Sequence, residues 1–234
     1  MSAVEVDSTV DGPEDAPVVV LSNSLGATRA SWDPQVPALA ERYRVVTYDT
    51  RGHGSSPTPP GPYTIDDLVD DLVALLDRIG APRAHVAGLS LGGMTAMRLA
   101  AREPHRVHRL AVLASSAKTE PATFLQRAGA HPDLVARLQA MVAGAADEGY
   151  AACAEVVGGI DLRADLARIT APTLVVSGAE DPALPPPHQQ AIADGVPGAQ
   201  LVSFSPGAHL VNLEQPLQVT GALLGHFDAA GDER

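Results

Sequence analysis

The chain has 234 residues, a single cysteine and a formal net charge of −12 at pH 7, with 45% hydrophobic but only 3% aromatic residues. That length suits one domain around one core, built here from Val, Leu, Ile and Ala rather than from rings. The acidic balance argues against nucleic acid and anionic membrane surfaces as partners, and a lone Cys153 permits no disulfide within the chain, which fits a reducing cytoplasm.

Taken in order, Val4-Glu5-Val6 and Pro17 to Leu21 flank a Gly/Pro/Asp turn and predict an opening antiparallel hairpin. Arg44 to Tyr48 reads as a third strand. Ile65 to Ile79 is the clearest helix: Ile65, Leu68, Leu72, Leu76 and Ile79 keep helical spacing, and Thr64 with Asp67 forms a capping-box pattern. Gly80 and Pro82 end it. An apolar run from Ala84 to Ala87 precedes a helix-like segment, Gly93 to Glu103. Leu110 to Ala114, Thr173 to Val176 and Gln200 to Phe204 read as later strands, and Pro185-Pro186-Pro187 as a turn into a helix. Strands alternating with helices predict an α/β fold with a mostly parallel sheet and helices on both faces.

Between the run Ala84–Ala87 and its helix stands Gly88-Leu89-Ser90-Leu91-Gly92. A serine at the apex of a strand–turn–helix needs neighbours without Cβ atoms, and the turn exposes its Oγ at the sheet edge. This is the pattern of a nucleophile elbow, against the plainer reading of a structural turn. A base and an acid follow in the chain order Ser, Asp, His. His209 lies after the strand Gln200–Phe204, and Asp181, with Glu180 as its competitor, after Thr173–Val176. His53, His85, His105, His108, His131, His188 and His226 do not follow a late strand in this way. His85 reads as a packed or backbone-bonded residue. Two N–H groups are candidates for an oxyanion hole: Leu91, just after the serine, and Leu25, in the loop Ser22-Asn23-Ser24-Leu25-Gly26 after an early strand.

Several segments resemble the 3-oxoadipate enol-lactonase family of α/β-hydrolases. They are Ser22 to Gly26, Trp32-Asp33-Pro34-Gln35, Tyr48-Asp49-Thr50-Arg51-Gly52-His53-Gly54 and Gly88 to Met94. Glu148 to Cys153, Ala171 to Leu174, Gly178 to Pro182 and His209 to Pro216 continue the likeness over nearly the whole chain. The resemblance implies an α/β-hydrolase fold as a single domain over 1–234, with a small helical cap over 115–168. It implies Ser90, Asp181 and His209 as catalytic residues. It also implies substrate contacts from Trp32 and from Arg127, the latter through the pattern Phe124-Leu125-Gln126-Arg127. One departure is a cap shortened near Gly129, with His131-Pro132-Asp133-Leu134 resembling a later part of the family's cap. This leaves the catalytic segments intact and bears on substrate specificity.

The expected chemistry is the opening of a small carboxylated enol-lactone, 3-oxoadipate enol-lactone, through an acyl-enzyme on Ser90. The alternatives are a general carboxylesterase or another lactonase with the same residues, or an inactive α/β-hydrolase that only binds ligand. No cofactor and no metal are expected, since the sequence has no H-E-x-x-H, no Cys/His cluster, no P-loop lysine and no dinucleotide fingerprint. Met1 to Asp7 lacks the basic and apolar regions of a secretory signal, and no run approaches transmembrane length. The polar end Asp228 to Arg234 reads as a frayed terminus. It reads equally as the start of a linker, since some family members are fused to a decarboxylase domain.

Overall fold

The computed structural model describes residues 2–119 and 147–229. Seven strands form one sheet: β1 Ser8–Asp11, β2 Val18–Ser22, β3 Arg44–Tyr48, β4 Ala84–Leu89, β5 Val107–Leu113, β6 Thr173–Gly178 and β7 Gln200–Phe204. Their order is β1-β3-β2-β4-β5-β6-β7. All pairings are parallel except that of β1 with β3. The described helices are α1 Val36–Ala40, α2 Ile65–Arg78, α3 Leu91–Arg102, α4 Asp147–Gly159, α5 Arg163–Leu166, α6 Pro186–Gly195, α7 Val211–Glu214 and α8 Pro216–Phe227. Among the described residues no helix is long and apolar enough to cross a membrane.

Side-chain alternation along the central strands divides the core in two. Val20, Val46, Val86, Val112 and Val175 join one apolar cluster with residues of α2 and α3. Val19, Leu21, Val45, Ala87, Leu89, Ala111, Leu113 and Val176 join another with residues of α8. Both sheet faces are therefore covered, and the sheet's irregular loops emerge at its two ends. The start of α2 carries the expected capping box, with Asp67 N–H donating to Thr64 Oγ1 and Thr64 N–H to the Asp67 carboxylate.

The opening hairpin is a correction. β1 lies later in the chain than Val4–Val6, and it pairs with β3, not β2. β2 already has parallel neighbours on both sides, so it offers no free edge. β1 is largely exposed and polar, as suits an edge strand. Val6 is buried in the first cluster, and Val4 N–H donates to Asp71 of α2. That stretch is held by packing and by two side chains of α2, Asp71 and Arg78, the latter donating to Val6 O (2.8 Å), rather than by a ladder. Arg127 and Phe124, with His131 to Leu134, lie outside the described residues, as does half of the stretch expected to form the cap.

Candidate active site

The strands that precede Leu25, Ser90, Asp181 and His209 end at the same rim of the sheet. The loops after β2, β4, β6 and β7 leave the carboxyl ends of parallel strands, where such folds gather their ligand-binding groups. Ser90 stands between β4 and α3 with φ 53° and ψ −114°, a conformation an L-residue adopts only under constraint. The constraint comes from three backbone-directed bonds. Ser90 N–H donates to Leu113 O (2.9 Å), and Ser90 O accepts from Met94 N–H (3.0 Å) and Ser115 Oγ (2.8 Å). A Cβ on Gly88 would overlap the backbone of Gly92 and Gly93, so strand and helix meet only because the elbow's first position has no side chain.

The structure brings Ser90, His209 and Asp181 together. Ser90 Oγ is 3.0 Å from His209 Nε2, and His209 Nδ1 is 2.8 Å from Asp181 Oδ2. The other Asp181 oxygen, Oδ1, accepts from Ala183 N–H (2.8 Å) and Leu184 N–H (3.0 Å), which fixes the carboxylate's orientation. Ser90 and Asp181 are buried, while the His209 side chain keeps 18% of its surface exposed. A serine on an imidazole whose other nitrogen faces a buried carboxylate can give up its proton as it attacks a carbonyl.

Glu180, the neighbouring carboxylate, faces the other way. Its two oxygens accept from Ser205 Oγ (2.7 Å) and Gly207 N–H (2.7 Å), which brace the loop leading to His209. Those bonds hold its pKa below the usual carboxylate value. Glu214 supplies a second brace that sequence reasoning missed. Its oxygens accept from Ala208 N–H (2.7 Å) and Leu210 N–H (3.1 Å), the amides on either side of His209. The only signal was a carboxylate five residues after the histidine. Asn212 Nδ2 donates to Ser31 O (2.8 Å) and Gln35 Nε2 donates to Asn212 O (2.8 Å), tying α7 to the segment beyond the β2 loop.

A family model described as the alpha/beta hydrolase fold matches residues 17–140. The chain belongs to the α/β-hydrolase family. It is 34% identical over 231 residues to 3-oxoadipate enol-lactonase 2 of Acinetobacter baylyi, a match covering 88% of this chain and 86% of that protein. Its structure is similar to that of the enol-lactonase from Burkholderia xenovorans LB400, with a TM-score of 0.91, 33% identity and 96% of each chain covered. It is also similar to a hydrolase from Pseudomonas aeruginosa PA01, with a TM-score of 0.88, 38% identity, and 96% of this chain and 94% of that one covered. Within the α/β-hydrolases it is a serine hydrolase of the esterase and lactonase superfamily, acting on small esters or lactones.

The two oxyanion candidates lie on abutting segments of this α/β-hydrolase. Leu91 is the first residue of α3, so its N–H has no intrahelical acceptor. Gly92 packs so closely on the backbone of Ser22 and Asn23 that a Cβ would overlap both carbonyl oxygens. The loop carrying Leu25 is thus pressed against the elbow. Trp32 is fully buried in the second apolar cluster, and its indole N–H has no acceptor among the described residues.

The other described histidines lie elsewhere. His85 packs edge-on to Tyr43 and His108, and its Nδ1 has no partner among the described residues. His226 Nε2 lies 3.0 Å from Leu110 O and His188 Nδ1 2.8 Å from Ser116 Oγ. His53 meets the β2 loop. Among the described residues no group of three or more His, Cys, Asp or Glu side chains is arranged to hold a metal ion.

Proposed function

We propose that this α/β-hydrolase opens a small carboxylated enol-lactone, 3-oxoadipate enol-lactone, through an acyl-enzyme on Ser90. The observation that carries the serine chemistry is the contact of Ser90 Oγ with His209 Nε2 at 3.0 Å, with Asp181 on the far side of the ring. The likeness to enol-lactonases over most of the chain supports the substrate class.

In this reading His209 takes the Ser90 proton as Oγ attacks the lactone carbonyl. Asp181 holds the imidazole with its proton on Nδ1 and stabilises the imidazolium that forms. The Leu25 and Leu91 N–H groups receive the developing oxyanion. Collapse breaks the ring C–O bond and expels an enol oxygen, which takes up a proton and tautomerises to a ketone. Water, deprotonated by His209, then attacks the acyl-enzyme and releases the acid from Ser90.

The deciding experiment compares turnover of the enol-lactone with that of simple p-nitrophenyl esters, alongside labelling by a fluorophosphonate. The lactone is expected to have the higher kcat/KM, and the probe to label Ser90 alone. In Ser90→Ala, labelling should vanish and kcat fall by ~10⁶-fold. Faster turnover of plain esters than of the lactone would replace the substrate with a general carboxylesterase's. Labelling that survives Ser90→Ala would remove the nucleophile.

A further inference from the structure

The segment after β2 is bonded to the end of β3 and to the turn beyond it. Asn23 Nδ2 donates to Tyr48 O (2.5 Å), Gly26 N–H donates to His53 Nε2 (2.9 Å) and Arg29 N–H donates to Asp49 Oδ1 (2.7 Å). The middle contact is the unusual one, because a backbone amide there depends on a titratable ring for its acceptor.

Its geometry fixes the ring's state. Gly26 N–H can only donate, so Nε2 must carry a lone pair. His53 Nδ1 faces the Arg51 carbonyl at 3.2 Å, and a carbonyl can only accept, so Nδ1 carries the proton. Both contacts are met by one species, the neutral imidazole protonated at Nδ1. His53 is 1% exposed. Burial, the larger effect, pushes its pKa down against the upward pull of the Arg51 carbonyl and Asp49. The carbonyl it leans on is itself held in place. Arg51 is fully buried and grips Asp71 through Nε (2.6 Å) and Nη2 (2.7 Å).

The same contact fixes the shape of the loop. Ser24 to Ala27 is a turn closed by Ala27 N–H to Ser24 O (3.1 Å), with Gly26 at φ +74°. A positive φ at the third residue marks a type II turn. Types I and II differ by a flip of the central peptide, here that of Leu25 and Gly26. A glycine at the third position permits either, so the loop alone does not choose. His53 accepts the Gly26 N–H on one side only and so selects type II. The Gly26 and Ala27 amides are thereby committed, while the Leu25 amide, on the preceding peptide, has no acceptor among the described residues.

We propose that His53 is a positioning residue for the oxyanion hole, its neutral ring locking the Gly26 peptide and with it the shape of the turn whose preceding peptide offers the Leu25 N–H to the substrate oxygen. It touches no reacting atom. The proposal rests on the reading of Ser90 as nucleophile and Leu25 as oxyanion donor.

The test compares the parent with His53→Ala and His53→Gln on p-nitrophenyl acetate. It adds inhibition by a trifluoromethyl ketone, whose tetrahedral adduct needs the hole, and a melting curve for each protein. Loss of a full oxyanion donor costs about 10²–10³ in kcat. A displaced one is expected to cost about 10- to 100-fold in His53→Ala, with KM within about threefold and a matching loss of ketone affinity. Glutamine places its Oε1 near the position of Nε2 and should recover most of both. A folded His53→Ala with the parent's kcat and ketone affinity overturns the proposal, and so does a folded His53→Gln that recovers neither. Should the alanine variant not fold, the glutamine variant decides alone: parent-like kcat and ketone affinity support the lock, and their loss in a folded protein refutes it. Fluorophosphonate labelling of the parent separates the two readings. An unlabelled Ser90 sinks the serine-hydrolase reading itself, whereas a labelled parent with an indifferent His53→Ala sinks only the role of His53.

Discussion

Gly92, the second residue of α3, lies directly against the carbonyl of Ser22, the last residue of β2. The last glycine of the elbow therefore sets the distance between Ser90 and the loop carrying Leu25, as well as shaping the turn. In Gly92→Ala the new methyl must push backbone, not a flexible side chain. Overpacking of this kind costs ~1–3 kcal/mol in stability. Misplacing a catalytic group by about 1 Å costs about 10²-fold in rate. The expected result is a folded, less stable protein with kcat down about 10²-fold. A kcat equal to the parent's would show that the two segments can separate without consequence.

Asp181 and Glu180 are adjacent in sequence and oppositely employed in space. Asp181→Asn should lower kcat by about 10⁴-fold, since the amide favours the wrong imidazole tautomer. Glu180→Gln keeps an acceptor for the Ser205–Gly207 loop and sits at the surface, so its kcat should stay within about tenfold. Steady-state kinetics on one ester suffices. Exchanged behaviour of the two variants would reassign the acid.

Glu214 brackets His209 through the amides of Ala208 and Leu210. Hydrogen bonds to a charged acceptor contribute about 1.5–3 kcal/mol each, less where water competes. Glu214→Ala should therefore loosen the histidine loop. We expect kcat to fall about 10- to 100-fold, with Glu214→Gln intermediate. If Glu214→Ala leaves kcat unchanged while the melting temperature drops, the brace is structural only.

Much of this site was legible because its signals are local. β3 and β7 fall where their composition places them, and Thr64 with Asp67 caps α2 as their spacing implies. The elbow, the acid loop and the histidine each follow a strand, so chain order ranked the loops, while the choice of Asp181 over Glu180 needed the contact with His209. The partner of β1 was not legible, because pairing is a long-range choice. Its polar composition marks an edge strand but does not say which edge. Glu214 and His53 were missed for a related reason: their work is to hold backbone amides, and an amide acceptor has no sequence pattern of its own.

Arg127 carries the substrate expectation that lies outside the described residues. A chain with net charge −12 repels an anionic substrate at long range, so a carboxylated lactone needs a local cation. A guanidinium suits a carboxylate bidentately. If Arg127 is that cation, Arg127→Ala should cost about 2–4 kcal/mol in kcat/KM for the acidic lactone and little for a neutral ester. The measurement is the ratio of the two kcat/KM values in variant and parent. An unchanged ratio removes Arg127 from the site.

Stability should fall in mild acid, because of histidines packed at the far end of the sheet. Burial, then the neighbouring His108, Arg109 and His226, lowers the His85 pKa to about 3. Burial and then Arg109 lower that of His226 to about 4. In the unfolded chain both titrate near 6.5. Above that pH they are neutral in both states and contribute no pH dependence. Below it the unfolded chain takes up protons that the folded chain refuses, so stability declines as pH falls, and levels off only below the folded values. The slope approaches ~1.4 kcal/mol per pH unit for each histidine. His53 and His108, also lowered by burial, act with the same sign. Carboxylates held low, such as Asp66 and Asp67, add to the loss only at more acidic pH, nearer their unfolded values. Between about pH 6 and 4.5 the histidines therefore dominate. Urea unfolding at several pH values should show the decline, and His85→Phe, which keeps an aromatic ring among Tyr43, His108 and Phe227, should flatten it. A stability constant from pH 7 to 5 would mean that these rings accept protons in the folded state after all.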